Sequence, residues 1–516
     1  FEGLYNRVPY LAKINRGNSR TRTRTGPTRR PATQDENNDD EEGDKKKKRD
    51  GPSVIERILI RPLMSLRKAR FNYSERWETV IPGFLPVNQL FGQNQDFGAP
   101  GYDFVFGYQP RIRKLEESEY YTDADWLHNA AQNGWMSGSV FVNQEVIQRF
   151  TQDYEGRVTL EPFNEFRVEL DLSRSFTEDH SEFFKDTLGN TGEWVHAIPK
   201  QIGQLNMTYS ALPTLFQDDR DEIVGLFERF EANRLEISQR IGNGALHGDS
   251  LLAAQGFNEG YGRVQQDVLI PAFLAAYRDE DVNSVKLNVF DLLPSVNWNL
   301  TYNGLSRVPL FAEIFRNFSL RHGYKSNLTV SRFNTGLDYL RTVNTNGALN
   351  ELNQNFYPRL EIPEIIIQEG FQPMIAVDAT LENGMSFNID YSKTRTLAMS
   401  FINNNLSESQ STSIVIGFGY LIRDLDIPFL TGSKKKKSNN RTAPAPTPGG
   451  GGGRGRGQAQ NQDLDISFDF SLKDDVTFNH VLDQDIVEPT RGNYSLSISP
   501  AIESQLNQRL SLRLFV

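Results

Sequence analysis

The sequence predicts an all-β protein, an antiparallel meander, from three observations. Apolar and polar residues alternate with period two over segments of eight or more residues, the clearest strand signal a sequence carries. Very short polar links join several of these segments. Helical spacing is confined to one main stretch.

Along the chain, "EFRVELDLS" (165–173) sets Phe166, Val168, Leu170 and Leu172 against Arg167, Glu169 and Asp171. Residues 296–303 set Val296, Trp298, Leu300 and Tyr302 against Asn297, Asn299, Thr301 and Asn303. In "MSFNIDYSKT" (385–394), Met385, Phe387, Ile389 and Tyr391 alternate with Ser386, Asn388, Asp390 and Ser392. "SIVIGFGYLI" (413–422) puts Ile414, Ile416, Phe418, Tyr420 and Ile422 opposite Gly417 and Gly419. Residues 463–472 set Leu464, Ile466, Phe468, Phe470 and Leu472 against Asp465, Ser467, Asp469 and Ser471. Tyr494, Leu496 and Ile498, then Leu510, Leu512 and Leu514, repeat the design. "ENG" (382–384), "KDD" (473–475) and "SQLN" (504–507) read as links, and Asn-Gly favours a hairpin because both central residues of its turn take positive φ.

The helical stretch is 219–241, where Ile223, Leu226, Phe227 and Phe230 fall at helical spacing; 53–64 and 123–131 read as short helices. Residues 16–52 and 432–462 combine lysine runs with acidic or Pro/Gly-rich sequence. Such tracts bury too little apolar surface to offset their ordering entropy and read as disordered, as 110–125 does more weakly.

The chain has 516 residues, no cysteine and a formal net charge of -10, so it holds no disulfide framework and no thiolate metal site. Its longest nearly apolar run, "VLIPAFLAAY" (268–277), falls well short of the roughly 20 residues that a spanning helix needs. That excludes a helical membrane protein but not a membrane β-barrel, whose strands are only half apolar. No signal peptide is visible, the chain starts at Phe1, and it stops within a strand-like alternation. These features predict a portion of a longer protein.

Catalytic chemistry is not expected. The six histidines, at 128, 180, 196, 247, 322 and 480, are scattered, and no HExxH or other metal-ligand spacing occurs. There is no nucleophile elbow and no Walker A loop, and "GGGGGRGRG" lacks the strand, helix and lysine that cradle a phosphate. Asp463, Asp465 and Asp469 lie in strand alternation and not in a calcium loop. No cofactor is expected. The basic runs lack interleaved aromatics and sit on an acidic chain, so no nucleic-acid partner is expected either.

Alternation by itself fits two settings: a soluble sheet with core on one side and water on the other, or a membrane wall between lipid and a watery lumen. The apolar faces are uninterrupted over four or five positions. The polar faces carry Ser, Asn, Gly and charges of both signs, and tyrosines (Tyr209, Tyr302, Tyr324, Tyr391, Tyr420) recur toward strand ends as an interfacial girdle would. Pattern leaves both settings open.

"ATLENGMSFNIDYSKTRTLAMSFINNNLSESQSTSIVIGFGYLIRD" (379–424), above all "KTRTLAMSFINNNLSE" and "IVIGFGY", resembles the late barrel region of the SprA/Sov family. Members of that family are the outer-membrane translocons of the type IX secretion system in Bacteroidetes. "RVPYLAKIN" (7–15), "LMSLRKARFNYSE" (63–75), "PGFLP" (82–86), "APGYDFVFGYQ" (99–109), "GYGRVQQDVLIPAFLAAY" (260–277), "VNWNLTYNGLSRVP" (296–309) and "LRHGYKS" (320–326) fit in the same order. Family members are several times longer, so the resemblance implies a C-terminal portion.

The implied fold is part of a very large antiparallel transmembrane β-barrel with helical and disordered inserts. Residues 1–15, 53–218, 278–431 and 463–516 then belong to the barrel, 219–277 to a helical insert, and 16–52 and 432–462 to disordered loops. The implied function is export of folded proteins, including gliding-motility adhesins, to the cell surface. Implied partners are cargo with a C-terminal secretion signal, outer-membrane lipid, and a PorV-type barrel or periplasmic plug protein at a lateral gate.

On this reading Met385, Phe387, Ile389, Tyr391, Ile414, Ile416, Phe418 and Tyr420 face lipid, and Ser386, Asn388, Asp390, Gly417 and Gly419 the lumen. Lys393 and Arg395 continue the outward parity, so the membrane boundary falls just after Tyr391 and the strand runs on into water. The rival expectations are another outer-membrane transporter and a soluble β-rich surface adhesin.

Overall fold

The computed structural model describes residues 2–5, 7–10, 64–107, 109, 126–189, 191–217, 220–425, 462–482, 486–507 and 510–515. Among these residues thirteen strands form one antiparallel sheet: β1 (Leu66–Val80), β2 (Val146–Leu160), β3 (Phe166–Asp186), β4 (Trp194–Met207), β5 (Asn297–Tyr302), β6 (Phe315–Thr335), β7 (Leu360–Glu361), β8 (Glu364–Leu381), β9 (Met385–Ser400), β10 (Asn405–Leu425), β11 (Gln462–Val481), β12 (Ile486–Asn507) and β13 (Leu510–Phe515). The lanes run β1-β2-β3-β4-β6-β8-β9-β10-β11-β12-β13, and β1 and β13 do not pair with each other among the described residues. The chain is mostly β, and its sheet is the meander that the alternation predicts. β3 has 21 residues and β12 has 22. At about 3.3 Å per residue such strands reach roughly 70 Å.

The helices are short apart from one group: α1 (Glu2–Tyr5), α2 (Tyr102–Val105), α3 (Trp126–Gln132), α4 (Arg220–Ile241), α5 (Ser250–Gln255), α6 (Gln266–Arg278), α7 (Pro309–Ala312) and α8 (Leu337–Asn346). None is long and apolar enough to cross a membrane. Residues 2–5, expected within a barrel segment, form a helical turn and not a strand. The expected helix at 123–131 is α3; the one at 53–64, but for Met64, and the tracts 16–52, 110–125 and 432–461 lie outside the described residues.

Two expected links are strand. "KDD" (473–475) sits inside β11, where Asp475, Asp474 and Lys473 face Ser411, Thr412 and Ser413 of β10 and Lys473 pairs with Asp475 at 2.8 Å. Polar neighbours in register let a polar run continue as strand. "SQLN" (504–507) is the end of β12.

One lane is broken. β4 pairs with β3 as far as Met207, opposite Arg174, and β5 resumes the lane at Asn297, opposite Asp171. Between them the chain leaves the sheet at Thr208 and returns at Ser295. Thr208 closes the base of this insert: its N–H donates to Ser173 at 3.0 Å, and Ser295 N–H donates to its carbonyl at 2.8 Å.

The insert carries α4 to α6 onto one face of the sheet. α6 is buried without a break from Val268 to Tyr277, as befits a helix apolar on all sides. Gln265 caps its first turn, and Asp267 and Arg278 complement its dipole. α4 is one-sided, burying Ile223, Leu226, Phe227, Phe230 and Ile237. Together they pack on Phe176, Leu205, Leu328, Ile365, Leu397, Met399, Leu406 and Phe478 of the strands beneath. The expected insert of 219–277 is thus a cover lying flat on the sheet. A second, smaller cluster docks α3 on β3 and β4: His196 lies 3.2 Å from His128 Nδ1 on one side and 2.9 Å from Glu182 Oε2 on the other.

Candidate functional site: two faces of one sheet

Opposed residues in an antiparallel ladder share a face, so the register assigns every side chain. Tyr420, Phe418, Ile416 and Ile414 lie opposite Met385, Phe387, Ile389 and Tyr391. Ile466, Phe468, Phe470 and Leu472 of β11 extend the rows, and Ile502, Ile498 and Leu496 of β12 follow. In the other direction the same face carries Ile375, Val377 and Ala379 of β8, then Trp298, Leu300 and Tyr302 of β5 beside Leu170, Val168 and Phe166 of β3. Phe71 and Tyr73 close the series on β1. The result is one apolar belt across one half of one face.

The belt is bare. Phe387 is 36% exposed, Ile389 42%, Ile416 41% and Leu496 55%. It spans 385–391 on β9 and 464–472 on β11, roughly 20–30 Å along the strand. The apolar band of outer-membrane barrels is about 25 Å tall.

The opposite face is polar over the same height. Ser386, Asn388 and Asp390 alternate with the belt residues on β9, and Gly419, Gly417 and Val415 oppose them on β10, Val415 being the apolar exception. Gly417 sits between Asn388 and Asp469 in register, and a Cβ there would lie 1.8 Å from Asn388 Oδ1 and 2.8 Å from Asp469 Oδ1. Glycine makes room for its polar neighbours. Several charges on this face pair with one another, Arg149 with Glu78 at 3.2 Å, Arg321 with Asp378 at 2.8 Å, and Lys473 with Asp475, whereas Asp390, Asp465 and Asp469 form no salt bridge among the described residues.

Directly beyond Tyr391 the belt gives way to charge under the cover. Lys393 and Arg395 do not run into water: they are 2% and 1% exposed. Arg395 Nε donates to Glu369 Oε1 at 3.1 Å, Nη1 to the Thr214 carbonyl at 2.7 Å, and Nη2 to the Ala211 carbonyl at 3.0 Å and Thr214 Oγ1 at 2.9 Å. Glu408 lies 3.6 Å from Arg395 and accepts from the Tyr277 hydroxyl at 3.1 Å. Glu369 accepts from the Tyr324 hydroxyl and from Ala211 N–H at 3.0 Å. β8, β9 and β10 each supply one charge, and the cover supplies Tyr277 and two carbonyls. Burial, then Glu408, push the Tyr277 phenol well above its ordinary range; burial pushes Tyr209 up to about 12.

The expected outward and inward residues therefore fall on opposite faces of one ladder. Two expectations change. The cover, not water, receives Lys393 and Arg395: Glu369 of β8 and Glu408 of β10 neutralise Arg395 there, and the Lys393 ammonium sits 5.3 Å from the Phe216 ring of the cover. Tyr209 and Tyr324 are fully buried and form no girdle. The cover's attachment through Glu369, Arg395 and Glu408 is absent from the pattern reading, although opposite charges at apolar parity on neighbouring strands were a usable signal. Among the described residues no three His, Cys, Asp or Glu side chains are grouped to hold a metal ion. No family model matches the chain, and no curated protein matches it.

Proposed function

We propose that this sheet is a wall segment of a large outer-membrane β-barrel and that the chain works in protein export, as the SprA/Sov translocons do. The observation that carries the reading is the bare belt, in register across the lanes and backed by a polar face at the same height. In water, such a belt would be an exposed apolar surface far beyond what a soluble monomer tolerates. In a bilayer it is the surface that lipid solvates.

The polar face then lines the lumen. Its hydroxyls, amides and internally paired charges give a passing folded protein little to adhere to, and a wall of many strands makes a wide bore. The wall performs no chemistry; it acts as a conduit, with no cofactor and no catalytic residue. Strands of roughly 70 Å outreach the hydrocarbon, so the covered half stands clear of the membrane. A PorV-type barrel, a periplasmic plug protein and cargo with a C-terminal signal are the partners that the resemblance suggests.

Fractionation with heat-modifiable gel migration tests the wall. Outer-membrane partition with a folded form of altered mobility is expected; a soluble form of fixed mobility would overturn it. Affinity capture of the tagged protein from its own membranes tests the translocon. Recovery of a PorV-type barrel is expected, and its absence under conditions that retain other outer-membrane complexes would sink that part.

A further inference from the structure

At the covered end of the sheet, a cleft of about 510 Å³ opens between α6, the loop 350–358 and the β9–β10 turn. Its volume is that of a small-molecule site. The cleft is pre-formed. Asn355, 6% exposed at its floor, accepts from Gly262 N–H at 2.8 Å and lies 3.2 Å from His247 Nε2. Gln266 donates to the Leu360 carbonyl at 2.8 Å and accepts from Ile362 N–H at 2.8 Å. These amides are spent on holding the walls.

Others are not. Among the described residues, the Asn334 carboxamide, the Tyr357 hydroxyl and the Glu361 carboxylate have no hydrogen-bond partner, and all three line the cleft. Asn350 and Asn353 each use Oδ1 on a backbone N–H, at 2.8 and 3.0 Å, leaving their NH₂ groups unspent. Half-buried Phe401 packs one side on the core and lines the cleft with the other.

This inventory selects a ligand class. Among the described residues no lysine or arginine lines the cleft, and the one charge there is negative, so anions are disfavoured. An apolar ligand would bury several amides and a carboxylate unpaired. A peptide strand needs unpaired backbone, but Asn350, Gln354, Phe356 and Tyr357 N–H groups already donate within the fold. What remains is donors and acceptors on side chains beside ring faces. Adjacent sugar hydroxyls, each both donor and acceptor, match carboxamides and carboxylate, and a pyranose C–H face matches an aromatic ring. We propose that this cleft binds a neutral carbohydrate, with Asn334, Glu361 and Tyr357 as its polar anchors.

The test uses the full chain in lipid nanodiscs, with saturation-transfer NMR and titration calorimetry against maltohexaose, xylohexaose and chitohexaose. At least one should bind saturably. Asn334→Ala and Tyr357→Ala should each weaken it by about tenfold, the loss of one good hydrogen bond, with the melting temperature unchanged because neither side chain holds the walls. Heparin fragments should not compete. The proposal is overturned if none of the three binds in the millimolar range, if both variants bind as the parent does, or if an uncharged Ser/Ala heptapeptide occupies the cleft instead.

Discussion

Arg395 shows how one residue joins two layers. Its guanidinium is wholly enclosed, and every nitrogen of it donates to a carboxylate, a carbonyl or a hydroxyl. Removing one partner of a buried ionic group costs about 3–5 kcal/mol because the other charges stay buried, whereas an apolar replacement of the whole group is often neutral. Arg395→Met should therefore expose the insert to protease between α4 and α6. The triple variant Arg395→Met, Glu369→Leu, Glu408→Leu should restore most of the resistance. Equal sensitivity of the two would show that the charges do not fasten the cover.

Glu361 offers a pH readout at the same scale. Burial, then Asp338, hold its carboxyl above the ordinary 4.5. A raised folded value means that its contribution is fully present below pH 4.5 and lost as pH climbs through the folded value. Glu361→Gln should match the parent's melting temperature at pH 4 and exceed it modestly at pH 7. A gap that narrows with rising pH would contradict the assignment.

At the scale of strands, the two faces should answer differently to one charge. Ile416→Lys places an ammonium in the belt and should cost about 2–4 kcal/mol if lipid lies there, seen as lost heat-modifiable assembly. Asn388→Lys, one strand over on the polar face beside Asp469 across Gly417, should assemble normally. If both assemble alike, the belt does not meet hydrocarbon.

Strands were also the most legible elements, because period two survives wherever one face differs from the other. Phe387, Ile389 and Tyr391 declared their side from sequence alone, and register extended it to the neighbours. "KDD" was misread for a local reason. A polar run resembles a turn unless the serines of β10 opposite it are known. The seating of α4 and α6 was illegible for a longer-range reason: it depends on Tyr277 meeting Glu408, 131 residues away. The cleft is not legible in the sequence either, since Asn334, Tyr357 and Glu361 belong to no motif: Asn334 and Glu361 are brought together by the β6–β7 pairing, and Tyr357 joins them only through the loop that Asn355 pins.

For the whole molecule, the paired charges of the polar face set an electrical expectation. Many positive and negative groups neutralise each other locally, Asp390, Asp465 and Asp469 excepted, so a pore lined by this face should discriminate only weakly between cations and anions. Its reversal potential in a potassium chloride gradient should stay near zero; a strongly selective pore would mean that a different surface lines the bore.

The broken lane carries a consequence for how such a molecule is put together. Met207 faces Arg174 and Asn297 faces Asp171, leaving Ser173 and Leu172 of β3 to be matched. Thr208 already bonds Ser173, and Val296 is the residue before Asn297. Splicing Thr208 directly to Val296 would fill both places and keep the alternation Met, Thr, Val, Asn, Trp in phase. The entire cover is thus a cassette that leaves the thread count of the sheet unchanged. Excision should give a shorter chain whose sheet assembles in the same register, and whose formerly sealed Arg395 lies open to solvent.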